Sequence, residues 1–392
     1  MKRLLVLGAS LAQIPFIKSA KKMGCFVGIV DYNPSAPAVE FADEYYECSL
    51  LDVDGVLKSA KEFRADGITC GTSDVGVLTA AYVCKDLNLP GLSIEAATKV
   101  KDKGAMIQSF RDCNVAHPAF QVVDSISETI QMKFPIITKP VDNSASRGIN
   151  VAHDETDLKI ALQNSFSCSE SGRVIVEEYL DGPEVSVEIL VQDSEPYVLQ
   201  VTDKITSGEP HFIEMGHSQP SQLPPLDVEE IKKLAYNAAK AVGIENGCGH
   251  AEIKLTSEGP KMVEIAGRLG GDFITTVLLP TSTGINISEY EILRALGEPK
   301  AFDPNSVIGN CGVAVKFIGA KPGKVKSVAI DFLSEEIIGI KEVKFVCRSD
   351  KQYGEAANNN DRFGYIIATG KTTQIALDRC DKVLERIHIE MD

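Results

Sequence analysis

Two acidic residues on either side of a short turn offer the clearest chemistry in this sequence. They lie in Gly249-His250-Ala251-Glu252-Ile253-Lys254-Leu255-Thr256, Ser257-Glu258-Gly259 and Pro260-Lys261-Met262-Val263-Glu264-Ile265, which read as two strands and a turn. Glycine at the last turn position suits a three-residue hairpin loop whose final residue is left-handed. In that register Thr256 faces Pro260, and Glu252 lies opposite Glu264 on the same face of the sheet. Like charges directly opposed destabilise a hairpin, so the arrangement calls for a cation. Two carboxylates suit Mg²⁺ gripped against the phosphates of a nucleotide. A two-residue turn puts the pair on opposite faces instead, and the sequence alone keeps both readings.

Three further segments carry charge in useful company. Ala266-Gly267-Arg268-Leu269-Gly270-Gly271-Asp272 sets one guanidinium in a glycine-rich loop, suited to a fork-like grip on carboxylate or phosphate. Phe134-Pro135-Ile136-Ile137-Thr138-Lys139-Pro140 is an apolar strand that delivers Lys139 to its end. Small residues follow, from Asp142 through Ser144, Ser146 and Arg147 to Gly148. Their exposed amides can form an anion-binding concavity, and lysine adds the point charge. No Gly-Lys-Ser/Thr opens a helix, so this is not a Walker loop. Val174-Ile175-Val176-Glu177-Glu178-Tyr179-Leu180-Asp181-Gly182-Pro183-Glu184 ends a strand in carboxylates and a hinge-like turn. Those carboxylates could accept from an adenine amino group or ribose hydroxyls. Each segment alone also reads as an ordinary loop or strand end.

The elements that position these groups follow from periodicity. Leu4 to Leu7, a helix to about Met23, Phe26 to Val30, a helix over Val53 to Phe63, Gly67 to Cys70 and a helix over Val75 to Leu87 alternate strand and helix, as in a parallel sheet wrapped by helices. Gly8-x-Ser10-x-x-Gln13 followed by Asp31 is a dinucleotide fingerprint that has lost its second and third glycines, which predicts a scaffolding turn over an NAD site. Strands at Phe120 to Val123, Pro135 to Lys139 and Arg173 to Glu177, with a helix from Glu155 to Gln163, form a smaller unit. Beyond it come strands at Val185 to Val191 and Tyr197 to Thr202, a long polar loop through Pro225, a helix from Val228 to Val242, and the hairpin. The last stretch reads as strands, one at Gly364 to Thr369, and a closing helix from Thr373 to Ile387.

The chain has 392 residues, more than one ordinary core holds. Its formal charge of -15 opposes nucleic acid and anionic membrane surfaces as partners. No apolar run approaches the roughly 20 residues of a membrane-spanning helix. Ten cysteines without a CxxC pair read as reduced, buried thiols, and a cytoplasmic location is expected.

Taken in this order, the segments resemble the ATP-grasp superfamily and, more narrowly, its carboxylate-amine ligases, which include the L-amino acid (dipeptide) ligases. The resemblance covers nearly the whole chain. It implies an α/β and α+β architecture: a Rossmann-like domain over 1–97, a small ATP-grasp subdomain over 98–180, a large one over 181–299 and a C-terminal α+β domain over 300–392. It further implies that Lys103 and Lys139 contact ATP phosphates and that Ser144, Ser146, Arg147 and Gly148 close over them. Glu177, Tyr179 and Leu180 resemble the adenine hinge, Glu184 the ribose ligand, and Glu252 and Glu264 the pair that holds Mg²⁺, for which Mn²⁺ can substitute. Arg268 matches the arginine that steadies an acyl phosphate, and His217 falls in a substrate-side loop. One departure stands out: Glu264-Ile265-Ala266-Gly267-Arg268 lacks the asparagine metal ligand of the common Glu-x-Asn-x-Arg pattern, a change shared by the amino-acid ligase branch. The implied reaction activates a small carboxylic acid with ATP as an acyl phosphate and joins it to an amine. Rival readings are a purine-pathway ligase acting on a phosphoribosyl amine or bicarbonate, a non-catalytic ATP-binding module and a nicotinamide oxidoreductase. Related enzymes are commonly homodimers.

Overall fold

A computed structural model describes residues 1–143, 147–309, 311–331 and 338–392. The first sheet is parallel, in the order β3-β2-β1-β4, from β1 (Arg3–Leu7), β2 (Phe26–Asp31), β3 (Glu44–Glu47) and β4 (Gly67–Thr69). A run such as Leu4-Leu5-Val6-Leu7 is apolar on both sides because helices cover both faces. The helices are α1 (Ile14–Lys22), α2 (Val53–Phe63) and α3 (Val77–Leu87).

The damaged dinucleotide turn is a scaffold. Gln13 is fully buried; its amide donates to the carbonyls of Cys70 (2.6 Å) and Leu7 (3.3 Å), and its oxygen accepts from Thr72 N (3.1 Å). Asp31 accepts from the backbone N–H of Ala9 (2.8 Å) and Asn33 (2.9 Å). The carboxylate that such a fingerprint aims at a ribose is therefore spent on its own turn, and Gln13 ties that turn to residues 70–72.

Two helices, α4 (Ile94–Lys101) and α5 (Lys103–Asp112), lead to a small antiparallel sheet of β5 (Phe120–Val123), β6 (Ile136–Pro140), β7 (Asn150–Ala152) and β8 (Val174–Glu178) in the order β5-β8-β6-β7. Its outer face packs on α6 (Glu155–Ser167) through Ile136, Val174, Val176, Leu158 and Leu162. Asp154 starts that helix by accepting from the N–H groups of Thr156 and Asp157.

The central sheet begins with β9 (Glu184–Gln192), β10 (Glu195–Thr206) and β11 (Glu214–Gln219). The stretch expected as one long polar loop thus contains β11 and the end of β10, because pairing with neighbours stabilises strands whose own sequence is polar. After α7 (Pro225–Val242) comes the hairpin, β12 (Gly247–Thr256) and β13 (Gly259–Ala266). Along β9, Val185, Val187, Ile189 and Val191 alternate onto α7, whose Ile231, Ala235, Ala238 and Val242 fill the same core. Each fully buried aliphatic side chain there contributes about 1.5–3 kcal/mol. The opposite face of β9 carries Glu184, Ser186 and Glu188, in register with Lys254, Glu252 and His250 of β12.

The hairpin differs from expectation in an instructive way. Thr256 pairs with Gly259, not Pro260, so the turn is the two-residue Ser257-Glu258. The register then shifts between Glu252 and Ile253, leaving Val263 as an extra residue, and Glu252 faces Glu264 after all. A β-bulge supplies the one-residue offset that a longer loop would have given.

The remaining elements are α8 (Leu279–Thr283), α9 (Ile287–Ala295), β14 (Gly312–Ile318), β15 (Gly323–Ile330), β16 (Ile340–Phe345), β17 (Gln352–Tyr353), β18 (Gly364–Gly370), α10 (Thr373–Leu384) and β19 (Ile387–Met391). The closing helix stops at Leu384, short of Ile387; the last residues alternate in burial and pair with β15 as a strand. Strands β14, β18 and β16 extend the central sheet, whose order is β13-β12-β9-β10-β11-β14-β18-β16, so one sheet runs through residues on both sides of 299. Among the described residues no helix is long and apolar enough to cross a membrane.

Between β8 and β9, Gly182 has φ +135°, and a Cβ there would lie 2.0 Å from the carbonyl oxygen of Leu255. Gly182→Ala is expected to cost about 2 kcal/mol or more, read as an earlier midpoint in urea unfolding.

Candidate active site

The small sheet, the polar face of the central sheet and the loop after β13 enclose a cavity of about 350 Å³. Lys103 enters it from the start of α5, Lys139 from the end of β6, and Arg147 from the loop beyond. Ser144 and Ser146 lie outside the described residues. Gly148, at φ +76°, is not among the lining residues; its carbonyl accepts from Ser165 Oγ (2.8 Å) and Asn150 Nδ2 (3.1 Å).

Glu177, Tyr179, Leu180 and Glu184 line the cavity along the hinge from β8 to β9. Glu177 and Lys139 are diagonal neighbours on β8 and β6, each with only 5% of its side chain exposed, and pair at 2.7 Å. Glu178 also lines the cavity and pairs with Lys261 at 3.2 Å. Ile137 and Val263 add apolar wall beside Leu180. A flat heterocycle could lie in that slot.

Glu252 and Glu264 meet at the cavity wall, as does the bulged Val263. Glu264 Oε2 lies 3.3 Å from Lys103 Nζ, which also donates to the carbonyl of Asn143 (2.8 Å). Burial opposes the charge of Lys103, but Glu264 outweighs it and holds the amine above its ordinary pKa. Glu252 Oε2 accepts from Lys204 (2.9 Å), and its Oε1 lies 3.7 Å from His250 Nε2. Burial disfavours the Glu252 carboxylate, yet Lys204 and His250 keep its pKa well below the ordinary value. Burial likewise opposes protonation of His250, but Glu188, at 2.6 Å from Nδ1, raises it to about 9. The donor set fits a magnesium ion: two opposed carboxylates with hard oxygens, facing a space shared with four lysines, Lys103, Lys139, Lys204 and Lys254.

Lys204 was not singled out from sequence. It sits amid Glu184 (2.7 Å), Glu252 (2.9 Å) and Glu214 (3.0 Å) with 6% of its side chain exposed. Its burial favours the neutral amine, but three carboxylates push its pKa well above the ordinary value. The polar period of two in Glu184-x-Ser186-x-Glu188 and His250-x-Glu252-x-Lys254 could have revealed this face.

Arg268 donates from Nε and Nη2 to both oxygens of Asp74, each at 2.7 Å, and from Nη1 to the carbonyl of Leu269 (2.8 Å). Asp74, on the N-terminal unit, thus fixes the guanidinium plane at the cavity. Beyond it, His217 lies on β11 rather than in a loop and is fully buried. Glu214, His217 and Asp272 bring one ligand atom each within 4.8 Å of one another. His217 Nε2 is 3.2 Å from Glu214 Oε2, within ion-pair distance, and neither ring nitrogen has a hydrogen-bond partner among the described residues. Burial pushes the Glu214 carboxyl up, but Lys204 and then His217 outweigh it and hold it at about 2.

A small antiparallel sheet and a larger central sheet around a lysine- and carboxylate-lined cavity make up an ATP-grasp fold. Sequence comparison agrees: residues 132–276 match the ATP-grasp domain, and residues 316–392 match the L-amino acid ligase C-terminal domain 2. The chain therefore contains an ATP-grasp domain, and its C-terminal part matches a domain found in L-amino acid ligases. It is 23% identical over 344 residues, 86% of its length and 67% of the other's, to protein y4rH of Sinorhizobium fredii. It is 26% identical over 246 residues, 56% of its length and 52% of the other's, to alanine–anticapsin ligase of Bacillus subtilis. Curated relatives among the first matches are longer: one is matched over only 22% of its length. L-amino acid ligase from Bacillus licheniformis superposes with a TM-score of 0.87 at 20% identity, over 100% of this chain and 99% of that one. Phosphoribosylglycinamide synthetase from Anaerococcus prevotii gives 0.80 at 24% identity over 100% of both.

Proposed function

We propose that this chain is an ADP-forming ligase that activates the carboxylate of an amino acid or related small acid with ATP and joins it to an amine. The observation that carries the reading is one cavity lined both by lysines with a carboxylate pair and by groups suited to a small substrate. Lys103, Lys139, Lys204, Lys254 and the Glu252–Glu264 pair line it as one set, and Glu214, His217, Asp272 and Arg268 line it as another, with Lys204 joining the two through Glu214 at 3.0 Å. The first set suits a triphosphate. Glu214 and Asp272 offer carboxylate oxygens to a substrate ammonium group, which supports an amino acid as the substrate.

Glu252 and Glu264 would hold the magnesium ion, which supplies charge neutralisation at the phosphate oxygens. Lys139 and Lys103 steady the transferring phosphoryl group while the substrate carboxylate attacks its phosphorus and ADP departs. The amine then attacks the acyl carbon. Arg268, its plane fixed by Asp74, offers its remaining N–H groups to the oxyanion of the tetrahedral intermediate before phosphate leaves. Closure of the small sheet over the site excludes water, which would hydrolyse the activated acid.

The test is ADP release with pooled amino acids, with mass spectrometry for an amide product. Amine-dependent release is the expected result. The full-length likeness to phosphoribosylglycinamide synthetase favours a second reading, and stimulation by a phosphoribosyl amine but not by amino acids would replace the first with it.

A further inference from the structure

The C-terminal part of the chain reaches the cavity beside Glu214 and Asp272 through residues 357–362. Asn358 and Asp361 close a short helical turn there: Asn358 accepts from Asn360 N (3.0 Å), and Asp361 accepts from the N–H groups of Ala357 (3.0 Å) and Asn358 (3.2 Å). The turn carries two side chains into the site. Asn359 lines the cavity beside Glu214, His217 and Asp272, and its Oδ1 accepts from the backbone N–H of Glu214 at 2.9 Å. Because that N–H can only donate, the amide oxygen must face it. The NH2 group is left for the cavity; among the described residues it has no hydrogen-bond partner. It is a donor beside the carboxylates of Glu214 and Asp272.

Arg362 does a different job. Its Nη1 and Nη2 donate to the two oxygens of Asp272 (2.6 and 2.9 Å), Nη1 also to the carbonyl of Glu214 (3.1 Å), and Nε to the carbonyl of Asn359 (2.7 Å). The guanidinium lies 3.7 Å from the centre of the Phe317 ring. It holds three segments in one geometry: the end of the glycine-rich loop, the start of β11 and its own turn. That loop needs holding, because Asp272 and Phe273 are consecutive non-glycine residues at φ +46° and +67°. Such conformations persist only where the surroundings impose them. Phe273 is clamped in turn against Tyr365 of β18, ring centres 4.4 Å apart.

We infer that residues 357–362 select the ammonium-bearing substrate: Asn359 donates from Nδ2 to an acceptor oxygen on it, and Arg362 positions Asp272 and Glu214 around its ammonium group. The inference rests on the ligase reading above. The chemistry implied is a zwitterion or amide-bearing amine, with an acceptor oxygen one hydrogen bond from Asn359 while its ammonium meets Glu214 and Asp272. An amine lacking that oxygen loses the contact.

The experiment compares Asn359→Ala, Asn359→Asp and Arg362→Lys with the parent chain in ADP release, varying amino acid and ATP separately. Asn359 is only half-buried, so its variants should fold even if Arg362→Lys does not. Expected for Asn359→Ala is a KM for the amino acid about tenfold higher with KM for ATP unchanged. Asn359→Asp should shift kcat/KM about tenfold in favour of a simple amine over an amino acid, because its added carboxylate repels the substrate carboxylate. Arg362→Lys, which keeps the charge but loses the fork that holds Asp272 and Glu214, should raise KM for the amino acid and leave KM for ATP unchanged. Unchanged selectivity in both Asn359 variants, or equal changes in KM for ATP and amino acid, would overturn the inference and leave the ligase reading standing. A parent chain that releases no ADP with any amino acid would remove both.

Discussion

Glu264→Gln should lower amine-dependent ADP release by about a thousandfold or more, with little change in thermal unfolding. The substitution keeps the side chain's size and the bulge that aims it, and removes only the charge. That charge has two uses in the structure: it faces Glu252 across the hairpin, and it lies 3.3 Å from Lys103. Lys103 keeps its bond to the carbonyl of Asn143, so the fold should tolerate the change. Direct Mn²⁺ titration followed by electron paramagnetic resonance separates metal binding from turnover. Weaker Mn²⁺ binding together with lost turnover is the expected result. Wild-type rate and Mn²⁺ affinity in the variant would remove the metal assignment.

Arg268→Met should lower kcat by about a hundredfold to a thousandfold, the range for loss of one preorganised donor at a developing oxyanion, while ATP binding stays near the parent value. This variant has a side effect that must be separated. Burial disfavours the Asp74 carboxylate, and the Arg268 pair is what keeps its pKa below the ordinary value. Stranding it should destabilise the fold by about 3 kcal/mol. The double variant Arg268→Met/Asp74→Asn removes the stranded charge, so stability should return while the rate stays low. If the double variant regained activity, Arg268 would be a structural strut between the N-terminal unit and the glycine-rich loop rather than a group acting on the substrate.

The hairpin shows how far the residues can be read unaided. The opposition of Glu252 and Glu264 was legible, but through a three-residue loop that does not exist. A two-residue turn and a bulge at Val263 reach the same register. A bulge depends on how the strand meets its neighbours, and β12 is already committed to β9 in continuous register from Gly247 to Lys254. His217 was legible as a site residue but not as part of a strand. The polar sequence around it gives no period-two signal, and β11 forms only between β10 and β14.

What the sequence determined by itself is short-range: the alternation of strand and helix in the N-terminal unit, the apolar stripe that seats α7, the delivery of Lys139 by β6 and of Arg268 by a glycine-rich loop. These follow from periodicity and local backbone preference, which act within a few residues. The tertiary structure decided which charges meet. Arg268 finds Asp74 across 194 positions, Arg362 finds Asp272 across 90, and Lys204 gathers Glu184, Glu214 and Glu252 from three strands. No local pattern encodes such partners, because an ion pair is set by where the sheet, once assembled, leaves two side chains, and burial then makes each charge depend on the other.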